Sequence, residues 1–315
     1  MNENPDQLPQ ANWWQDNVDC WRRLPNKAFF FALLAAWLAL FQFQGNSIRG
    51  YVHTPSLFTW MVNQYDNPNA DDSHGNFIPF LVIGLFWWKR HQLLSLPLKL
   101  WWPGLLILLP ALLLHLAGYF IQQPYLSIAA LFAGLFGLMG LAWGRDWLRH
   151  SLFPFFLFAF SVPLGSRGQI ITFPLQRLVS WLAEKSAHIL GINVIRIGTG
   201  LFDPAGGYRY EVAAACSGIR SLVTIFLLAT IVGFVFLRSP LHRIFLIFLA
   251  LPFSVLGNSL RVLLIIFSAE LGGQRWGNYV HENLITSLLP YLPAFIGFFY
   301  IGFWLEKREL KKSRA

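Results

Sequence analysis

Residues 244–268, IFLIFLALPFSVLGNSLRVLLIIFS, decide how this chain folds. A helix rises about 1.5 Å per residue and the hydrocarbon core of a bilayer is about 30 Å thick, so about 20 apolar residues cross it. These 25 residues exceed that length and carry a single charge, Arg261. The run begins just after Arg243, which puts Arg261 toward its far end. A membrane span with an arginine inside it is the first expectation.

The composition generalises the point. Of 315 residues, 55% are hydrophobic and 12% charged, with 14 Trp and 30 Phe, whereas soluble domains carry about 25% charged residues. Seven further apolar runs accompany the first: Ala28 to Gln44, Phe77 to Trp88, Leu100 to Phe120, Leu126 to Trp143, Leu152 to Leu164, Ile219 to Leu237 and Leu284 to Trp304. The expected fold is an all-α polytopic membrane protein with about eight transmembrane helices. The first run ends in Phe41-Gln42-Phe43-Gln44 and lacks the small residues of a cleavage site, so it reads as a retained helix.

The net charge of +9 does not point to nucleic acid, because the cations gather at the ends of apolar runs. With the N-terminus inside, the cytoplasmic segments hold Arg22, Arg23 and Lys27; Lys89, Arg90 and Lys99; Arg145 and Arg149; Arg238 and Arg243; and Lys307, Arg308, Lys311, Lys312 and Arg314. That is 15 of the 24 Lys and Arg residues. Both termini are therefore expected in the cytoplasm, with residues 1–27 as an N-terminal segment, 28–304 as one transmembrane domain and 305–315 as a basic tail. The localisation implied is a cytoplasmic (inner) membrane. Cys20 and Cys216, the only cysteines, would lie on opposite sides of it as free thiols.

Two stretches outside the spans are long enough for structure of their own. Gly45 to Asn76 contains Asp66, Asp71, Asp72 and His74, but without metal-ligand spacing, so no metal or other cofactor is expected. In Gly165 to Ala215, Ile170 to Leu190 has apolar residues near helical spacing, which suggests a helix along the interface. Ile192 to Gly198 then alternates like a strand, and Pro204-Ala205-Gly206-Gly207 turns the chain before Tyr208 to Val212. A small outside helix and β-hairpin thus lead straight to Cys216.

Cys216 sits in Ala213-Ala214-Ala215-Cys216-Ser217-Gly218-Ile219-Arg220-Ser221, where that polar segment meets an apolar helix. A thiol at a helix N-terminus with a cationic neighbour in Arg220 is set up as a thiolate. A lone cysteine in a membrane protein is otherwise a small packing residue. Arg261 changes the balance, since an intramembrane arginine is costly and marks a functional site unless it snorkels. Asn258, three residues earlier, shares its helix face, and His281 follows on the same side of the membrane. These types suit acyl transfer: a thiolate attacks a carbonyl, a guanidinium steadies the oxyanion, and an imidazole moves the proton. Cys216, Arg261 and His281 are the candidate catalytic residues, with Arg220, Asn258 and Ser217 as candidate substrate contacts.

At these residues the chain resembles the exosortase and archaeosortase family of membrane cysteine transpeptidases. Asp72-Ser73-His74-Gly75, Phe153-Pro154-Phe155-Phe156-Leu157-Phe158 and Val162-Pro163-Leu164 are similar to the family's earlier segments. Ala215-Cys216-Ser217-Gly218-Ile219-Arg220 is similar to its most specific motif. The resemblance implies Cys216 as nucleophile, Arg261 of Asn258-Ser259-Leu260-Arg261 as the second catalytic residue and His281 as the third, histidine there being the bacterial form. Two features depart from the pattern: Ile285 stands where a glycine often follows the histidine, and Ala214-Ala215 replace Glu-Ala before the cysteine. The implied substrates are exported proteins whose C-terminal sorting signal combines a Pro-Glu-Pro motif, a transmembrane helix and a basic tail. These would be cut at the outer face and passed to an acceptor. Two rivals stay open at this point: a transporter or lipid-binding protein using Arg220 and Arg261 for an anion, and a peptidase whose acceptor is water.

Overall fold

The computed structural model describes residues 13–48, 53–67, 72–211 and 219–312. In chain order the helices are α1 (Trp13–Arg23), α2 (Lys27–Gln44), α3 (Leu57–Tyr65), α4 (Ile78–Trp88), α5 (Arg90–Leu94), α6 (Leu105–Phe120), α7 (Pro124–Trp143), α8 (Arg145–Phe156) and α9 (Gln169–Ile189). Strands β1 (Ile195–Ile197), β2 (Gly200–Phe202) and β3 (Arg209–Glu211) follow, then α10 (Ile219–Phe236), α11 (Pro240–Glu282), α12 (Leu284–Leu288) and α13 (Leu292–Lys312). Internal contacts divide the chain into two compact units, one of Met1–Asn63 with Gly75–Val162 and one of Gln64–His74 with Pro163–Ala315.

In the first unit α7 is the central helix. Its Gly134, Gly137 and Gly140 recur every third residue and are buried against three neighbours. A Cβ would strike the Trp37 ring of α2 at Gly134, the Leu108 backbone of α6 at Gly137 and Leu148 of α8 at Gly140. Lipid offers no hydrophobic drive between helices, so such close backbone approach and polar bonds across helices hold the bundle. Trp37 Nε1 donates to the Leu131 carbonyl at 3.1 Å, and buried His115 Nδ1 meets Ser127 Oγ at 3.1 Å. Amphipathic α1, with Trp13, Trp14 and Trp21 exposed, suits an interfacial position. It is tied to α5 by the Arg90–Asp16 ion pair and by Cys20, whose Sγ lies 3.9 Å from His91 Nδ1.

Among the described residues, five helices are long and apolar enough to span: Lys27–Gln44, Trp102–Phe120, Pro124–Trp143, Pro240–Glu282 and Ile285–Lys312. Ile78–Trp88 and Leu222–Phe236 are apolar but shorter. The expected run from Leu152 to Leu164 is not one continuous α-helix. α8 stops at Phe156, a 3-10 turn covers Leu157–Ser161, and Val162 is extended. Pro154 withholds a backbone N–H, and Pro163 disfavours helical geometry at the residue before it.

In the second unit the expected helix and small antiparallel sheet are found, but the sheet is a three-stranded meander in the order β1-β2-β3. The added strand comes from Gly198, whose φ of 66° allows a two-residue turn that pairs Ile197 with Gly200. The sheet packs against α9 and α11 through one core: Val179, Ala183 and Ala187 from α9; Leu201 and Tyr208 from the sheet; and Val262, Ile265, Ile266 and Ala269 from α11. A second core joins α10, α11 and α13 through Ile225, Leu246 and Phe298. Glu309 of α13 accepts the N–H groups of Arg238 and Ser239 and pairs with His242 at 2.6 Å, which caps the start of α11.

Candidate active site

The site is organised by a break in α11. Gly272 (φ −135°, ψ 16°) and Gly273 (φ 72°, ψ −177°) interrupt the helix between an apolar arm, Pro240 to Leu271, and a short polar arm from Gln274 to Glu282. The conformation of Gly273 lies in a region that only glycine enters at low cost. In an unbroken helix, residues 20 apart would be separated by roughly 30 Å along the axis. Here Arg261 Nη2 donates to the His281 carbonyl oxygen at 3.4 Å, across that separation of 20 residues. The double glycine brings the two candidate residues together.

We read the membrane span of α11 as the apolar arm, because the arm beyond the glycines carries Gln274, Arg275, Asn278, His281 and Glu282. His281 is on the last turn of that polar arm. Its imidazole is half-buried, and burial, reinforced by the Arg261 charge, holds its pKa below the ordinary histidine value while Glu282 pulls the other way. A neutral imidazole at neutral pH is the form that accepts a proton.

Asn258 is 1% exposed, and its Oδ1 accepts the Tyr291 hydroxyl at 2.7 Å. Gly257 makes room for this contact, since a Cβ there would lie 2.5 Å from the Tyr291 ring. Asn258, a candidate substrate contact, holds α11 against the 3-10 turn Leu289–Tyr291 through this buried bond. Cys216 and Ser217 lie outside the described residues, and Arg220 is placed by its backbone alone, in the first turn of α10.

The residues that hold β3 in place were not singled out from the sequence. Tyr208 donates its hydroxyl to Glu270 at 3.2 Å, and burial together with the Glu270 charge pushes its pKa up. Arg209 N–H donates to Gln274 Oε1 at 2.8 Å, and Tyr210 donates to the Gln274 carbonyl at 3.1 Å and reaches Asn278 Oδ1 at 3.3 Å. The sequence cue was the Gly272-Gly273 pair, a recognised helix punctuator that falls just before these partners.

Asp72 and His74 share the second unit with this site. Asp72 is buried, and its Oδ2 accepts the Gly165 N–H at 2.7 Å, which joins the Asp72-Ser73-His74-Gly75 and Val162-Pro163-Leu164 stretches. Burial, with the Asp72 charge, pushes the pKa of Tyr65 up. Asp71 lies outside the described residues. A groove of about 430 Å³ runs between α9 and α11, lined by Leu178, Leu182, Leu256, Leu260 and Leu263 beside Ser259.

No curated protein and no solved structure matches this chain. The family model of the transmembrane exosortases matches residues 60–300, a stretch that contains the Cys216 motif, Arg261, the broken helix and His281. With that match covering most of its length, the chain belongs to the transmembrane exosortase family of membrane-embedded sorting transpeptidases.

Proposed function

We propose that the chain cleaves C-terminal sorting signals of exported proteins at the outer face of the cytoplasmic membrane and transfers them to an acceptor, with Cys216 as nucleophile. His281 takes the proton of the Cys216 thiol, the thiolate adds to the scissile carbonyl, and Arg261 steadies the oxyanion. The C–N bond then breaks, and the leaving amine takes its proton from His281, leaving a thioester on Cys216. An acceptor nucleophile gives its proton to His281, attacks the thioester and releases the thiolate. An amine acceptor makes the reaction a transpeptidation, and water makes it hydrolysis.

The observation that carries this reading is the meeting of Arg261 with the His281 backbone at the break in α11. In this reading a guanidinium bonded to the His281 backbone at the end of an apolar arm lies where a signal's extended motif would leave the bilayer. The signal in this reading is a Pro-Glu-Pro motif followed by an apolar helix and a basic tail. Arg220 and Ser217 would meet the motif, with Arg220 pairing its glutamate, and the apolar groove between α9 and α11 suits the signal's helix. Both termini are cytoplasmic in this reading.

The direct test is co-expression of Cys216→Ser with a tagged sorting-signal protein. The substrate is expected to stay at full length while the enzyme accumulates normally in the membrane. Processing at the wild-type rate would refute the peptidase reading and leave the arginines to an anion-binding transporter.

A further inference from the structure

We propose that Gln274 is a positioning residue for the reaction, clamping β3, the strand that precedes the Cys216 motif in the chain, to the polar arm of α11 that bears His281; this rests on the reading of Cys216 as nucleophile. Among the described residues, β3 is the element that precedes the cysteine motif, and it is an edge strand paired with β2. In the ladder, Leu201 faces Tyr210 and Phe202 faces Arg209, so the outward backbone groups of Arg209 need partners from elsewhere. Gln274 supplies both. Its Oε1 accepts the Arg209 N–H at 2.8 Å, and its Nε2 donates to the Arg209 carbonyl at 3.3 Å. A primary amide here does the work of a missing strand.

The same side chain is fixed from the helix side. Gln274 Nε2 also donates to Asn278 Oδ1 at 3.0 Å, one turn further along the arm that ends in His281. Tyr210 closes the clamp from the strand side, with its hydroxyl donating to the Gln274 carbonyl at 3.1 Å. That hydroxyl rests on Gly277, where a Cβ would lie 2.0 Å away, so the helix puts no side chain of its own in the way of this contact. The strand leading to the nucleophile and the helix bearing the proton carrier are thereby held as one piece on the far side of Gly273.

Only an amide meets the requirement in full. Glutamate keeps the acceptor for Arg209 N–H but has no proton for the Arg209 carbonyl or for Asn278, and leucine supplies neither group. The experiment uses full-length enzyme reconstituted in membranes, with cleavage of a tagged sorting-signal protein and, in a Cys20→Ser background, alkylation of Cys216 by iodoacetamide across pH. Gln274→Leu is expected to lower kcat about 10- to 100-fold with KM within about twofold, because small misplacements of reacting groups cost that much. It is also expected to change the pH profile of Cys216 alkylation, and in a His281→Ala background to have no further effect on that profile. Gln274→Glu, which keeps one of the two backbone bonds, should fall between Gln274→Leu and wild type, and carries the test if Gln274→Leu fails to fold.

Wild-type kcat in Gln274→Leu would overturn the clamp. So would an equal effect of Gln274→Leu on alkylation with and without His281, which would make Gln274 merely structural. Cleavage by Cys216→Ser sinks the nucleophile reading itself. A dead Cys216→Ser beside a fully active Gln274→Leu sinks the clamp alone.

Discussion

Replacing Gly273 with alanine tests the architecture of the site without touching any candidate catalytic group. The open space around Gly273 accepts a Cβ, with nothing within 4 Å, so the penalty is conformational alone. A φ of 72° with ψ of −177° is a glycine-only region, and another residue held there costs about 1–3 kcal/mol. That strain is relieved by straightening α11, which carries His281 away from Arg261 by up to roughly 30 Å of helix axis. Destabilising the broken state by about 1–3 kcal/mol lowers the ratio of broken to straight helix roughly 5- to 150-fold, and cleavage should fall as the straight form gains population. The assay is turnover of a tagged sorting-signal protein in isolated membranes, normalised to enzyme abundance. Gly84→Ala is the control, since a Cβ at Gly84 in α4 also meets nothing within 4 Å and the residue is helical. Full activity of Gly273→Ala would refute the claim that the glycine break assembles the site.

Three further outcomes follow from the site chemistry. Arg261→Lys should lose most activity, because a point charge does not reproduce the planar fork that holds an oxyanion, and near-normal turnover would favour a snorkelling or purely electrostatic role. Because burial and Arg261 hold the pKa of His281 below the ordinary value, the neutral base persists to lower pH. The acid limb of kcat/KM should therefore lie below an ordinary histidine titration; a limb at or above the ordinary value would remove His281 as the titrating base. An impermeant thiol reagent on spheroplasts should label Cys216 and spare Cys20, with a cysteine at Asn278 in a Cys-free background as the control for slow labelling; labelling of Cys20 alone would invert the topology.

The parts of this fold legible in the sequence are those set by local composition. The run from Ile244 to Ser268 announced its span, and Ile170 to Leu190 announced α9 through its spacing of apolar residues. β1 was visible from alternation, while β2 was not, because three residues that begin with a glycine carry too little pattern. The run from Leu152 to Leu164 read as a helix on hydropathy, although Pro154 and Pro163 end it early, since hydropathy does not register backbone donors. At the site, residue types pointed to Arg261 and His281, but their meeting depends on two dihedral angles at Gly273, which no periodicity encodes. Asn258 was visible as a polar residue in an apolar helix, yet its partner Tyr291 comes from a separate segment 33 residues on, and only tertiary packing reveals it.

The central claim is that Cys216 forms a covalent bond to the substrate, and the most direct measurement is intact-protein and peptide mass spectrometry of the enzyme after a short exposure to a sorting-signal substrate. The account predicts a thioester on Cys216, carrying the N-terminal substrate fragment, released by hydroxylamine and missing from Cys216→Ser. Turnover with no adduct on Cys216 in wild type, or an adduct that persists on another residue in Cys216→Ser, would contradict it.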